Sequence, residues 1–172
     1  SFKTLEKLSK YAKKKNIKIT FNPSSYLAEK GKDYLRNILS NTEILILNDY
    51  EAKLLVGLSN INDMLRKLTK LGPKIAVITK GKEGVFAFDS NYFYFGKPNK
   101  VKVVETTGAG DAFASSFLSG IIKKNNTEFA IKLGVTNAES VIAHHGAKNK
   151  LLRYKEALSI MKKKPVRVKK VR

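Results

Sequence analysis

The 172-residue sequence contains no cysteine and is poor in acidic residues, with 14 Asp plus Glu against 34 Lys plus Arg. Without cysteine there is no disulfide framework, no Cys-ligated zinc and no thiol nucleophile. No apolar run approaches the roughly 18 to 20 residues that span a bilayer, and the basic-then-apolar start of a secretory signal is missing. The expectation is a soluble, cytoplasmic chain with no membrane partner. The formal charge of +20 creates a positive field that attracts polyanions, so nucleotides and nucleic acid are both candidate partners. Lysines on solvated helix faces account for the same excess, and no RNA-binding signature of interleaved basic and aromatic residues is present.

With 42% hydrophobic residues the chain is long enough for one sizeable core, and its length suggests a single domain over residues 1–164 followed by a basic tail, 165–172. Phe2, Leu5, Leu8, Tyr11 and Ala12 recur at helical spacing, and Ile17, Ile19 and Phe21 alternate as a strand does. A second helix is expected around Tyr34 to Leu39. The run Ile44-Leu-Ile-Leu47 has the character of a strand buried on both faces, the mark of a parallel sheet. Helices at Asp49 to Val56 and Asp63 to Leu71 and the strand Ile75 to Ile78 continue the alternation.

Val85 to Phe88, Tyr92 to Phe95 and Val101 to Val104 then read as antiparallel strands on one edge. From Gly108 the pattern is helical through Phe129 to His144 and Leu151 to Met161. The segment after Pro165 alternates Val with base and fits either a last strand or a basic arm.

Chemistry concentrates in Glu105-Thr-Thr-Gly-Ala-Gly-Asp111, where a strand pattern gives way to a small-residue turn and an apolar helix. A helix N-terminus presents unpaired N–H groups and the positive end of a dipole, and glycines let an anion approach them. Gly108, Ala109 and Gly110 therefore suit a phosphate. Asp111 stands beside them, where a carboxylate can accept a proton from an attacking hydroxyl. The P-loop spacing is absent, and Phe113 occupies the place where a dinucleotide fingerprint needs a small residue. On spacing alone, an ordinary glycine-rich helix start remains an equal reading.

Thr107-Gly-Ala-Gly-Asp-Ala-Phe113 resembles the signature of the PfkB, ribokinase-like carbohydrate and nucleoside kinases. The resemblance implies a three-layer α/β/α sandwich with a mostly parallel sheet and an antiparallel edge. It also implies ATP and Mg2+ as ligands, and Asp111 as the base that deprotonates a sugar or nucleoside hydroxyl. Asn48-Asp-Tyr-Glu51 is similar to a second family motif in which the Glu places magnesium through water and the Asn lies near the phosphates. The same four residues also spell a helix capping box.

Thr79, Gly81 and Gly84 match a turn that lines the family's ATP site, and Asn137 matches an Asn near the adenine. Asn22-Pro-Ser-Ser25 resembles a turn facing the cleft, and also an ordinary chain reversal. Where the family usually carries Asp, this chain has Glu105, which puts a monovalent-cation site in doubt. His144 and His145 are adjacent, not three or four apart, so they do not share a helix face as metal ligands.

The resemblance runs to about Ala157 and leaves out the family's N-terminal strands, its β lid and most acceptor contacts. With Ser1 in place of Met, this leads to the expectation of a fragment, or of a chain completed by a missing N-terminal half or a partner chain. A homodimer stays open. The alternative is a non-catalytic nucleic-acid-binding or accessory protein on a kinase-like fold.

Overall fold

Three parallel strands lie in the first part of the structure, a computed structural model that describes residues 2–172. They are β1 (Thr20–Phe21), β2 (Ile44–Asn48) and β3 (Ile75–Thr79), in a register that pairs Thr20 with Ile44, Ile44 with Ile75 and Asn48 with Thr79. The first four residues of β2 are buried, as a strand covered on both faces requires. The chain clusters into two units, one holding the residues up to Thr79 with Phe86–Phe93, the other holding Lys80–Val85 and Tyr94–Val171.

In the first unit the strands are covered by α1 (Phe2–Lys14), α2 (Ser25–Glu29), α3 (Gly31–Leu39), α4 (Asp49–Val56) and α5 (Ile61–Thr69). Leu35, Leu39, Leu45, Leu47, Leu65 and Leu68 are wholly buried, and their apolar area supplies most of the driving force for this unit. Asn48 and Asn60 cap α4 and α5 by accepting the N–H groups of Glu51 and Asp63. The helix expected around Tyr34 to Leu39 is α3, and a short helix that the pattern did not show, α2, precedes it, set apart where Gly31 takes φ +82. The expected first strand shrinks to two residues, and Ile17 is exposed.

A hairpin follows, β4 (Val85–Phe88) and β5 (Phe93–Lys97). At its tip the Phe88 and Phe93 rings stack with centroids 4.3 Å apart. At its base a Cβ on Gly84 would lie 2.6 Å from the Gly96 carbonyl oxygen. Tip meets tip and base meets base, so the two strands run antiparallel.

The second unit contains α6 (Ala109–Lys124), α7 (Thr127–Ile142), α8 (Tyr154–Lys163) and β6 (Arg167–Val171). Helices α6 and α7 approach closely through glycine: a Cβ on Gly120 would fall 2.6 Å from the Ala130 Cα, and one on Gly134 would fall 2.7 Å from the Phe113 ring. The basic segment after Pro165 forms β6, which extends the sheet in the order β1-β2-β3-β4-β5-β6.

Val101 to Val104, expected as a strand, is not one. Residues 98–107 form an irregular strap in which the N–H groups of Val104 and Glu105 both donate to the Ile142 carbonyl, at 2.8 and 3.3 Å. Capture by the end of α7 takes backbone donors that a ladder would need.

Candidate functional site

The first unit gathers polar residues just past the carboxyl ends of its parallel strands, the place where open α/β sheets collect ligands. Asn22, after β1, donates its side-chain amide to the Ile46 carbonyl at 2.7 Å. Asn48, after β2, caps α4: its Oδ1 accepts the Glu51 N–H at 2.8 Å, and Glu51 Oε2 accepts the Asn48 N–H at 2.9 Å. The capping box readable in the sequence is therefore present. Glu51 is 6% exposed, and its Oε1 accepts the Ser25 hydroxyl at 3.0 Å.

Thr79, paired with Asn48 in the ladder, donates its hydroxyl to the Leu47 carbonyl at 3.4 Å. Asn48, Glu51 and Thr79 are thus brought together, joined by Asn22 and by Ser25, whose part no spacing rule revealed.

In the second unit the turn after β3 owes its glycines to backbone demands. Gly81 has φ +50 and opens a 3-10 turn, Gly81–Glu83. Gly84 at φ +123 is buried against Gly96. Lys80 lies 3.0 Å from Glu83.

The start of α6 differs from those of α4, α5 and α7. Asn48, Asn60 and Asn126 cap α4, α5 and α7 with side-chain oxygens. By contrast α6 begins on Gly108 in the left-handed conformation, φ +81, with no side-chain cap. The Ala109 N–H donates to the Thr106 carbonyl at 3.2 Å, while those of Gly110 and Asp111 keep their capacity for an external anion. A Cβ on Gly108 would collide with the Ala147 carbonyl oxygen, whereas one on Gly110 would meet open space. Asp111 lies in this first turn; it is exposed, and its carboxylate has no hydrogen-bond or ion-pair partner among the described residues.

Glu105, ahead of the turn, accepts the Gly146 N–H on Oε2 at 2.9 Å. That bond, followed by one from the Thr107 side chain, holds its carboxyl below the ordinary carboxylate value. His145 lies 3.9 Å from the same oxygen.

Asn137, on α7, is buried with both polar ends engaged. Its amide donates to the Ser116 hydroxyl at 2.6 Å and its oxygen accepts the Leu152 N–H at 3.0 Å. It ties α6 to the segment ahead of α8. No cluster of three or more His, Asp or Glu able to hold a metal ion occurs among the described residues. Glu51 retains spare lone pairs on both oxygens and fits a water-bridged magnesium, the usual manner of holding this ion beside phosphates. No helix among the described residues is long and apolar enough to cross a membrane.

Parallel strands alternating with helices define an α/β protein. The chain belongs to the pfkB family of carbohydrate kinases, whose model matches residues 2–153. A cytidine kinase of Thermococcus kodakarensis is 36% identical over 146 residues, covering 81% of this chain and 51% of that enzyme.

Among solved structures, Arabidopsis thaliana ribokinase complexed with ribose and ATP superposes with a TM-score of 0.83 at 20% identity, over 94% of this chain and 53% of that one. An E. coli protein described as a ribokinase II, in complex with ATP and Mg2+, gives 0.82 at 20%, over 92% and 53%. The fold is ribokinase-like. The chain spans about half the length of the relatives it matches.

Proposed function

We propose that this chain supplies the phosphate-handling part of an ATP-dependent kinase that phosphorylates a hydroxyl of a sugar or nucleoside. The observation that carries the reading is the start of α6, with no side-chain cap, the Gly110 and Asp111 N–H groups unused, a left-handed Gly108 and an exposed, unpartnered Asp111. Kinship to a cytidine kinase and the ATP complexes of ribokinase-like structures support it.

In this reading the Gly108–Gly110 turn holds the transferring phosphoryl group through the N–H groups it leaves free, and Asp111 takes the proton of the acceptor hydroxyl. The acceptor oxygen forms a bond to the γ-phosphorus as the bond to the β,γ-bridging oxygen breaks, leaving ADP and an alkyl phosphate. Asn48 and Glu51 orient the phosphates, with Glu51 binding magnesium through water. Magnesium, when bound, neutralises charge that develops on the phosphate oxygens. Thr79, Gly81 and Gly84 line the nucleotide side, and Asn137 supports it by holding α6 in place.

In-line transfer depends on positioning the acceptor and excluding water. Relatives are about twice as long as this chain, and the remaining half would complete the acceptor site. Calorimetric titration with MgATP, then a transfer screen across sugars and nucleosides with the protein at its natural length, tests the proposal. MgATP binding with transfer to a hydroxylated acceptor is expected; absence of MgATP binding would overturn it.

A further inference from the structure

The strap 98–107 delivers the chain from β5 to the Gly108 turn without regular structure, so, while packing on α7 holds the body of α6, the approach to that turn depends on a few anchors. Three are visible, and all lie on α7 or the loop behind it. At the start of the strap, Glu139 accepts two donors of Asn99: the backbone N–H at 2.6 Å on Oε1 and the side-chain amide at 3.2 Å on Oε2. In the middle, the Ile142 carbonyl accepts Val104 and Glu105. At the end, Glu105 accepts Gly146.

Glu139 contributes the clamp at the first anchor. It reaches across 40 residues of sequence from the same helix that carries Asn137. Both oxygens grip one residue, an arrangement that fixes direction as well as distance. Burial makes this an unfavourable place for a carboxylate and raises its pKa above the ordinary value, against the two Asn99 bonds that lower it. A neutral residue would fill the position at less cost, but it would not supply two acceptor oxygens.

We infer that Glu139 is a positioning residue for the Gly108–Asp111 turn, holding in place, through Asn99, the strap that delivers it. The inference rests on the proposed role of that turn. Released from Asn99, the strap regains backbone freedom, and the turn loses the fixed placement on which an anion site and an adjacent base depend. Glu139 itself touches neither nucleotide nor acceptor in this scheme.

The test compares the wild type with Glu139→Ala, Glu139→Gln and Asn99→Ala, using the whole chain. Amide hydrogen exchange is read without nucleotide, and MgATP affinity is read by calorimetry. In Glu139→Ala, exchange at Val104, Glu105 and Ala112 should rise about tenfold, and MgATP should bind about tenfold more weakly. Glu139→Gln should restore most of both, since its oxygen still accepts the Asn99 N–H and the Asn99 amide can turn to accept its donor. Asn99→Ala, which keeps the backbone bond, should fall between.

Unchanged exchange in a folded Glu139→Ala protein would overturn the inference. So would a loosened strap with unchanged MgATP affinity. If the wild type binds no MgATP, the functional proposal falls, and the exchange measurement still decides whether Glu139 holds the strap.

Discussion

The Ser25 hydroxyl donates to Glu51 Oε1 at 3.0 Å, joining residues 26 apart in sequence, while the other oxygen of that carboxylate accepts the Asn48 N–H. A nearly buried acid is thereby satisfied on both oxygens by groups at the start of α2 and the cap of α4. Glu51→Ala removes the acceptor for both donors. It should cost about 1–3 kcal/mol, the range for leaving buried polar groups unmet, measured as a lower urea midpoint. Ser25→Ala should cost less, and almost nothing when added to Glu51→Ala, because the two residues share one interaction.

Gly108 and Gly110 answer to different demands. Gly108→Ala places a Cβ against the Ala147 carbonyl in a left-handed conformation, which costs roughly 1–2 kcal/mol from the backbone alone, with the collision added. Gly110→Ala meets open space inside a helix, where alanine gains about 0.5–1 kcal/mol over glycine. Thermal unfolding should therefore show Gly108→Ala less stable and Gly110→Ala equal or more stable, while MgATP affinity falls in both. A Gly110→Ala protein that binds MgATP as the wild type does would argue against an anion at that turn.

Asn137→Leu keeps the volume of the side chain and removes its polar atoms, leaving the Leu152 N–H and the Ser116 hydroxyl without their partner. The expected loss is about 1–3 kcal/mol by urea unfolding. Asn137→Asp keeps the acceptor for Leu152 and should lose less.

Burial raises the Glu139 carboxyl, partly offset by the bonds from Asn99 and by the field of Lys164. A carboxyl whose folded pKa lies above its unfolded one favours the fold below the unfolded value, and that contribution is lost as pH rises through the folded value. Glu139→Gln has no such loss. The stability of the variant relative to the wild type should therefore increase in urea titrations as pH rises from below the ordinary carboxylate value through the raised folded value, and a difference constant with pH would contradict the shift.

Much of the first unit was legible because apolar runs such as Ile44–Leu47 and Ile75–Ile78 allow little but buried strands, and because Asn48 and Glu51 carry a cap signature at fixed spacing. The strap was misread, since alternation at Val101 to Val104 resembles a strand while the partner that captures its N–H groups, Ile142, lies far along the chain. The pairs Ser25 with Glu51 and Asn99 with Glu139 had no local signal for the same reason: their spacing reflects topology, not a turn or a helix repeat. The α6 start was the reverse case. Its glycines and Asp111 are contiguous, so the motif and its family kinship could be read directly, and the structure adds that no side chain caps this helix.

Phosphoryl transfer from ATP by the natural-length polypeptide carrying this sequence, wild type against Asp111→Asn, tests the central claim most directly. With Asp111 as the base, transfer to the accepted sugar or nucleoside should fall by about 10²–10⁴-fold while MgATP affinity stays within about twofold, since the N–H groups that bind phosphate are unchanged. Full transfer activity in Asp111→Asn would contradict the account.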